Sequence, residues 1–536
     1  MVLFMMTPPR PIKDLLLAPD LEKDEVSALL APFGIREIKK ADTNLQLIAG
    51  EPPDRLLFSE ILEESLIAFS ESPIPDQALN NFERFSKTTF SKTHFFSFLQ
   101  ASPRSLHQLA FVFGGSPFLS DILIRNPEYF YWVFSLDCLC SPKSKSAYRN
   151  ELRASLRLAK SKSGGLDRLR IFKRKEILRI GVRDLLREAR VETSLRELST
   201  LADVLIEEAY TLCDRALRKT FGKPQSKHGR AKDIGSGFTV LALGKLGSRE
   251  LNFSSDVDLI YLYDSGLEKT PSLKGQEGMD SSTYFEGLAR ELTSALNDST
   301  EQGYVYRVDL RLRPEGDIGP IALSIEGYRL YYKKRAVIWE RLALLRARVV
   351  AGDRSLGRRF LDLAGGFIYD QPFGQEGMDE VRACKAQIDE SIAIDHLAHR
   401  DVKRGYGGIR EIEFIVQSLQ LYFGSKDPKS RKISTMNGLR QLTSLGHLSK
   451  GSESSLRKAY HFLRDLENKL QMVNDRQTHL IPEDPDEFQA LALRLGYIEG
   501  DTKSASDLLK ADLASHTANV HRIFQTLFYP EAASKD

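Results

Sequence analysis

The chain has 536 residues, 42% hydrophobic and 28% charged, with a formal net charge of +3 at pH 7. That is the composition of a globular protein with room for roughly two to four domains. It excludes a fibrous repeat, a disordered acidic or basic chain, and a surface built throughout to hold a polyanion.

Four cysteines, Cys138, Cys140, Cys213 and Cys384, are too few and too scattered for a disulfide framework or a zinc site. No apolar run approaches the ~18 residues of a spanning helix. The Val2–Met6 run is too short, and lacks the basic lead, for a signal peptide. A cytoplasmic protein without a membrane partner is the expectation.

Residues 1–100 carry Pro8, Pro9, Pro11, Pro52, Pro53, Pro73 and Pro75 between short amphipathic stretches, so short helices and loops are expected there. Residues 101–230 read as a helical region. Ser105–Phe113 and Pro117–Ile124 have helical apolar spacing, and Pro127 ends the second. Between Lys143 and Arg190, sixteen Lys and Arg stand against five Asp and Glu. Solvated helix faces, or arginines packed on a neighbouring domain, explain that bias more readily than a docking face for an acidic protein or nucleic acid.

The pattern then changes. Phe238–Leu243 and Val257–Tyr263 are short and rich in β-formers and read as strands. A helix is expected around Tyr284–Leu296. A third strand is expected over Tyr304–Arg313, stopped by Pro314, and a further helix over Tyr328–Val350. Residues 231–365 therefore read as a small α/β domain. From 378 to 530 the helical period persists, as in Ile409, Ile412, Val416 and Leu419 and in Leu456, Tyr460, Leu463, Leu466 and Leu470. This predicts a C-terminal helical bundle. The fold class expected is α+β, mostly α, with a small sheet domain between helical regions.

The sharpest chemical signal is S-S-D-V-D-L-I-Y-L-Y, residues 254–263. Strand alternation puts Asp256 and Asp258 on one face and Val257 and Leu259 on the other. Two carboxylates so close repel unless a cation lies between them, and hard oxygen ligands at this spacing suit Mg²⁺. The same D-x-D spacing at Asp484-Pro485-Asp486 reads only as a solvated turn, because it lies in a proline-containing acidic loop. In R-V-D-L-R-L-R, residues 307–313, alternation puts Arg307, Asp309, Arg311 and Arg313 on one face. That is either a surface salt-bridge ladder or a third metal ligand among phosphate-holding arginines; beside Asp256 and Asp258 the second is favoured. In the turn G-K-L-G-S, Gly244 and Gly247 permit close backbone approach to a phosphate.

A Gly turn, a D-x-D on the next strand and a third Asp on a later strand together resemble the polymerase-β-like nucleotidyltransferases. The likeness goes further. G-K-L-G-S-R-E-L-N-F-S-S-D-V-D-L-I (244–260) resembles the signature of the glutamine synthetase adenylyltransferase/adenylyl-removing enzyme family. So, in order, do G-G-S-P-F-L-S (114–120), V-D-L-R-L-R-P-E-G (308–316), W-E-R-L-A-L-L-R-A-R-V-V-A-G-D (339–353), K-R-G-Y-G-G-I-R-E-I-E-F-I-V-Q (403–417) and D-R-Q-T-H (475–479).

Full-length members of that family carry two such halves, whereas this chain shows one. Its G-G-I-R-E-I-E-F, W-E-R and Q-T-H resemble the adenylyl-removing half, and Glu411 stands where the transferring half usually has Asp. The resemblance implies phosphorolysis of an adenylyl-tyrosine on glutamine synthetase to ADP, or the related attachment of AMP from ATP. It implies two Mg²⁺ ions about 3.5–4 Å apart, with Asp256 and Asp258 bridging both and Asp309 completing one. Arg311 and Arg313 would neutralise phosphate charge, and the Gly247–Ser248 turn would hold nucleotide phosphates. A PII-type nitrogen-signalling protein is a further implied partner.

On the helix after Gly408, a polar stripe of Arg410, Glu413, Gln417 and Gln420 runs beside the apolar one. It reads either as a solvated face or as the wall of a cleft between bundle and catalytic domain. Lys403 is a candidate phosphate contact. Trp339 reads as core and His479 as a satisfied loop histidine. Two other readings compete: a nucleic-acid nucleotidyltransferase, against which the near-neutral charge counts, and a catalytically silent regulatory module, against which the three carboxylates count.

Overall fold

The computed structural model describes residues 10–225, 237–272, 277–371, 373–394, 397–498, 500 and 502–530. The Val2–Met6 run, Pro8, Pro9 and the expected junction at 230/231 lie outside them. The fold is α+β and mostly helical, around one five-stranded sheet. No helix among the described residues is long and apolar enough to cross a membrane.

The N-terminal helices are longer than the prolines suggest. Asp54–Ser70 runs 17 residues and Pro75–Thr88 runs 14. The prolines fall in the connections or at a first helical position, where the missing N–H costs nothing. Phe58, Phe82, Phe85, Phe95, Phe96, Phe113 and Phe130 are buried together there. Their rings meet at centroid distances such as 5.2 Å for Phe58–Phe96 and 5.4 Å for Phe95–Phe130, in the tilted and edge-on poses aromatic pairs prefer. The basic stretch lies mainly on Lys145–Leu156 and Lys162–Leu185, packed against Val191–Phe221.

The sheet comprises β1 (Phe238–Ala242), β2 (Val257–Tyr263), β3 (Val308–Asp309), β4 (Ala322–Ser324) and β5 (Arg348–Gly352). β1 pairs antiparallel with β2 and β5, while β3 and β4 both pair parallel with β2 along its free edge. The sheet is buried on both faces, which explains its apolar runs. Phe238, Val240, Ala242, Val257, Leu259 and Tyr261 enter the core shared with the N-terminal helices. Leu241, Leu243, Ile260 and Leu262 enter the core shared with the C-terminal bundle. Alternation therefore sends Asp258 to the bundle side, with Ile260 and Leu262.

Two sequence expectations need correction. The third strand is two residues long, not ten, and the alternation of Arg307, Asp309, Arg311 and Arg313 does not survive past Asp309. Asp309 Oδ1 accepts the backbone N–H of Arg311 at 2.9 Å, a local bond that competes with the ladder. Glu315 and Gly316, at φ of 61° and 57°, then turn the chain away beyond Pro314. The expected helix over Tyr328–Val350 is instead two helices, Ile325–Lys334 and Ile338–Leu344, followed by β5. The helical period of L-A-L-L-R-A-R masked a β-branched R-V-V-A-G strand.

The bundle contains Gln375–Ile394, Ile409–Gly424, Thr435–Ser444, Lys450–Met472, Pro485–Arg494 and Ala505–Phe528. The second D-x-D is a helix start: Asp484 caps the backbone N–H of Glu487 at 2.9 Å, and Asp486 pairs with Arg36 on the surface.

Candidate active site

A cleft of about 570 Å³ opens between the sheet and the bundle. On its sheet side stand Asp256, Asp258 and Asp309. Parallel pairing of β2 with β3 sets Asp258 directly beside Asp309, and i, i+2 spacing brings in Asp256. Lys403, Arg410, Glu413 and Gln417 form the bundle side, so the polar stripe is a cleft wall rather than a solvated face. Gln420 turns away and donates to the carbonyls of Ser430 and Lys432.

The three carboxylates are not equivalent. Asp256 Oδ1 accepts from Arg307 Nε at 2.7 Å. Asp309 accepts from Arg311 Nη2 at 2.6 Å and Nε at 3.1 Å. Burial opposes ionisation of Asp309, but the hydrogen bonds and charge of Arg311 hold its pKa below the usual carboxylate range. Asp258 accepts no hydrogen bond from the described residues. Burial, and then the charges of Asp309 and Asp256, push its carboxyl up to about 6, with Lys403 opposing. A partly buried, unpartnered carboxylate between two others is a cation-seeking arrangement.

The donor set of hard oxygens fits a divalent ion such as Mg²⁺. As they stand, no three His, Cys, Asp or Glu side chains among the described residues are grouped to hold one; Arg307 pairs with Asp256 and Arg311 with Asp309. The Arg311 side chain is 72% exposed and can leave at little cost.

Gly244, at φ +53°, crosses directly over Asp258, and a Cβ there would overlap its carboxylate. Gly244→Ala is expected to lower turnover by roughly a hundredfold, through displacement of Asp258, and stability by about 1–3 kcal/mol. Steady-state kinetics and urea unfolding of the variant check both. Gly247 and Ser248 do not line the cleft. Gly247 is packed against the Arg346 carbonyl, and buried Ser248 donates to the Lys245 carbonyl at 3.1 Å. The residues of this turn that face the carboxylates are Gly244 and Lys245.

Arg313 is also elsewhere: its guanidinium donates to the carbonyls of Leu310 and Gly319. Arg311 lines the cleft. Lys403 is held by a tight loop in which Asp401 Oδ1 accepts the N–H of Lys403 and Arg404 at 2.9 and 2.8 Å. Side chains at Gly407 and Gly408 would collide with backbone carbonyls. Burial, then the neighbouring charge of Arg410, lowers the Lys403 pKa, against the pull of Glu467, Glu413 and Asp258. Arg410 keeps a buried Nε with no hydrogen-bond partner among the described residues. Glu413 is held ionised near pKa 2 despite burial, by Arg346, Arg410 and Lys403. Gln417 donates to the Leu342 carbonyl at 3.1 Å and braces the wall.

Sequence reasoning missed Lys245, Arg346 and Trp339. Lys245 Nζ donates to the fully buried Glu467 at 2.5 Å, and burial brings its pKa down to about 7. Arg346 joins Glu413 and Thr435. Trp339, expected in the core, is 40% exposed and lines the cleft with Leu342, Ala343, Ile388 and Phe414. His479 Nδ1 lies 2.9 Å from Glu467, yet without the geometry of a hydrogen bond. Arg346 and Trp339 both lie in the W-E-R-L-A-L-L-R-A-R block, whose polar and aromatic residues were the available signal.

Residues 106–363 match the family model described as glutamate-ammonia ligase adenylyltransferase, and residues 382–528 match that of GlnD PII-uridylyltransferase. Several curated relatives are called bifunctional glutamine synthetase adenylyltransferase/adenylyl-removing enzyme. The relative from Thioalkalivibrio sulfidiphilus is 34% identical over 78% of this chain and 41% of its own length. That from Shewanella loihica is 32% identical over 80% and 43%. That from Xanthomonas oryzae pv. oryzae is 38% identical over 68% and 37%. The chain thus spans about two fifths of the length of the curated relatives it matches.

Proposed function

We propose that this chain, which belongs to the glutamate–ammonia ligase adenylyltransferase family by the match of residues 106–363, transfers adenylyl groups between a tyrosine of glutamine synthetase and phosphate. Removal is the proposed direction. The observation that carries this reading is the convergence of Asp256, Asp258 and Asp309 opposite Lys403 and Arg410 in one cleft.

In removal, an oxygen of inorganic phosphate forms a bond to the adenylyl phosphorus. The bond from phosphorus to the tyrosine oxygen breaks, its electron pair stays on that oxygen, which takes a proton, and ADP leaves. Asp256, Asp258 and Asp309 would hold Mg²⁺, which when bound supplies charge for the attacking and leaving oxygens. Lys403, Arg410 and Arg311, once released from Asp309, bind and orient phosphate oxygens. Trp339, Leu342 and Phe414 offer an apolar surface for the adenine ring.

Support for removal over attachment is the likeness of residues 339–341, 407–414 and 477–479 to the removing half. Glu411, part of that likeness, is fully buried against Lys385 and His521, each at 3.2 Å, so any influence on direction is indirect. Direction is tested by supplying the chain with adenylylated glutamine synthetase, Mg²⁺ and phosphate, or with unmodified glutamine synthetase, Mg²⁺ and ATP. Intact-mass spectra of the glutamine synthetase subunit should show loss of AMP in the first mixture and no change in the second. Gain of AMP in the second alone would reverse the direction.

A further inference from the structure

The basic stretch 143–190 has no part in the cleft chemistry, and seven of its sixteen Lys and Arg form ion pairs within the fold. Arg179 meets Glu176 and Glu197 at 2.7 and 2.6 Å, and Arg183 also pairs with Glu197. Lys143 meets Glu151 and Glu176, both at 2.7 Å, and Arg153 meets Glu208 at 2.7 Å.

A second cavity, of about 370 Å³, brings three residues of the stretch together with Arg125. Arg125, Arg170, Lys173 and Arg174 line it, and three of them have no carboxylate partner among the described residues. Arg174 donates only to Gln302, at 2.6 Å from the side-chain oxygen. Arg125 forms no ion pair or hydrogen bond there. Lys173 has no hydrogen-bond acceptor; its ammonium lies 4.4 Å from the Tyr304 ring centroid and 4.8 Å from that of Tyr306. Arg170 pairs with Asp167 at 2.9 Å yet leaves its buried Nε without a partner. Of the acids that face them, Asp121 is drawn to Arg84 at 2.8 Å; Asp475, which accepts the Tyr304 hydroxyl at 3.3 Å and attracts Lys173, and Glu301 remain.

Aromatic faces hold a cation in place but leave its protons unsatisfied, and guanidinium forks match tetrahedral oxyanions. We propose that this cavity binds a small phosphate-bearing anion, held by Arg125, Lys173 and Arg174, at a site separate from the catalytic cleft. Its size and flanking acids exclude a tracked nucleic-acid backbone. Tyr304, in the lining of this cavity, links it to Arg307. Its ring carries Lys173, and its hydroxyl accepts from Arg307 Nη1 at 2.8 Å. Arg307 in turn holds Asp256 at 2.7 Å, so occupancy has a short path to a catalytic carboxylate.

The probes are inorganic phosphate and glycerol 3-phosphate, which separate a free phosphate from an ester. The readout on the full chain is the rate of Lys173 acetylation by acetic anhydride, mapped by mass spectrometry. Protection of Lys173 by phosphate, alone or together with the ester, is expected. The surface changes Arg125→Gln and Arg174→Gln should each weaken it by about tenfold, while Lys403→Met, in the catalytic cleft, should leave it intact. Absence of protection by either probe overturns the proposal. So does protection that ignores both arginine changes, or protection that is lost with Lys403→Met, which would place the anion in the catalytic cleft.

Discussion

Asp258→Asn should abolish adenylyl transfer in either direction, a loss on the order of a thousandfold or more, while making the metal-free protein more stable at neutral pH. The two effects share one cause. Asp258 lies between Asp256 and Asp309 without a hydrogen-bond donor among the described residues, and its folded-state pKa is raised from 3.8 to about 6. The native state therefore holds more protons than the unfolded chain between roughly pH 4 and 6, so stability falls as pH rises through that window. A neutral, nearly isosteric amide removes the repulsion. Allowing for solvent at a partly exposed group, the gain above pH 6 should be about 1–2 kcal/mol. Urea titrations in the presence of a chelator at pH 4, 6 and 8 measure it, and the slope of stability between pH 4 and 6 should flatten in the variant. A variant no more stable at pH 8 than the wild type would show that Asp258 is not strained by its neighbours.

Glu467→Ala should have the opposite character, destabilising the protein by roughly 3–5 kcal/mol. Glu467 is fully buried and meets Lys245 at 2.5 Å, Arg464 at 2.7 Å and His479 at 2.9 Å. Without it, three cation-forming groups face one another away from water. Against a total stability of about 5–15 kcal/mol, this is a large fraction. Chemical denaturation of the variant checks it, with Glu453→Gln as control. Glu453 pairs with Arg457 at the surface, and its loss should cost under about 1 kcal/mol. Adding Lys245→Met to Glu467→Ala should recover part of the loss, since that removes one of the stranded charges. Equal stability of Glu467→Ala and wild type would mean that the cluster admits water. Lys245 reaches the cleft from this cluster, so the same change should also lower turnover.

The sheet was legible where alternation and burial agreed. In Val257–Tyr263 every second residue enters a different core, and the strand has the bounds its composition suggests. It failed where a side chain competed with the ladder. Nothing in R-V-D-L-R-L-R reveals that Asp309 will bond to the Arg311 backbone and end the strand, and Arg313 consequently lands among loop carbonyls. β5 was hidden because its burial depends on pairing with β1, far away in sequence. The cleft wall was readable as a stripe, Arg410, Glu413 and Gln417, but not its counterpart. Lys245 and Trp339 become part of the site only because the bundle folds back over the turn at Gly244 and the helix Ile338–Leu344. Gly247 and Ser248 were attractive as a phosphate cradle, yet Gly247 is a packing residue pressed on the Arg346 carbonyl.

The most direct measurement follows glutamine synthetase carrying a labelled adenylyl group through one round with this chain, Mg²⁺ and inorganic phosphate. The label should leave as ADP, only when phosphate is present, and not at all with Asp258→Asn. Release of the label as AMP without phosphate, or undiminished release by the Asp258→Asn chain, would contradict transfer at these three aspartates.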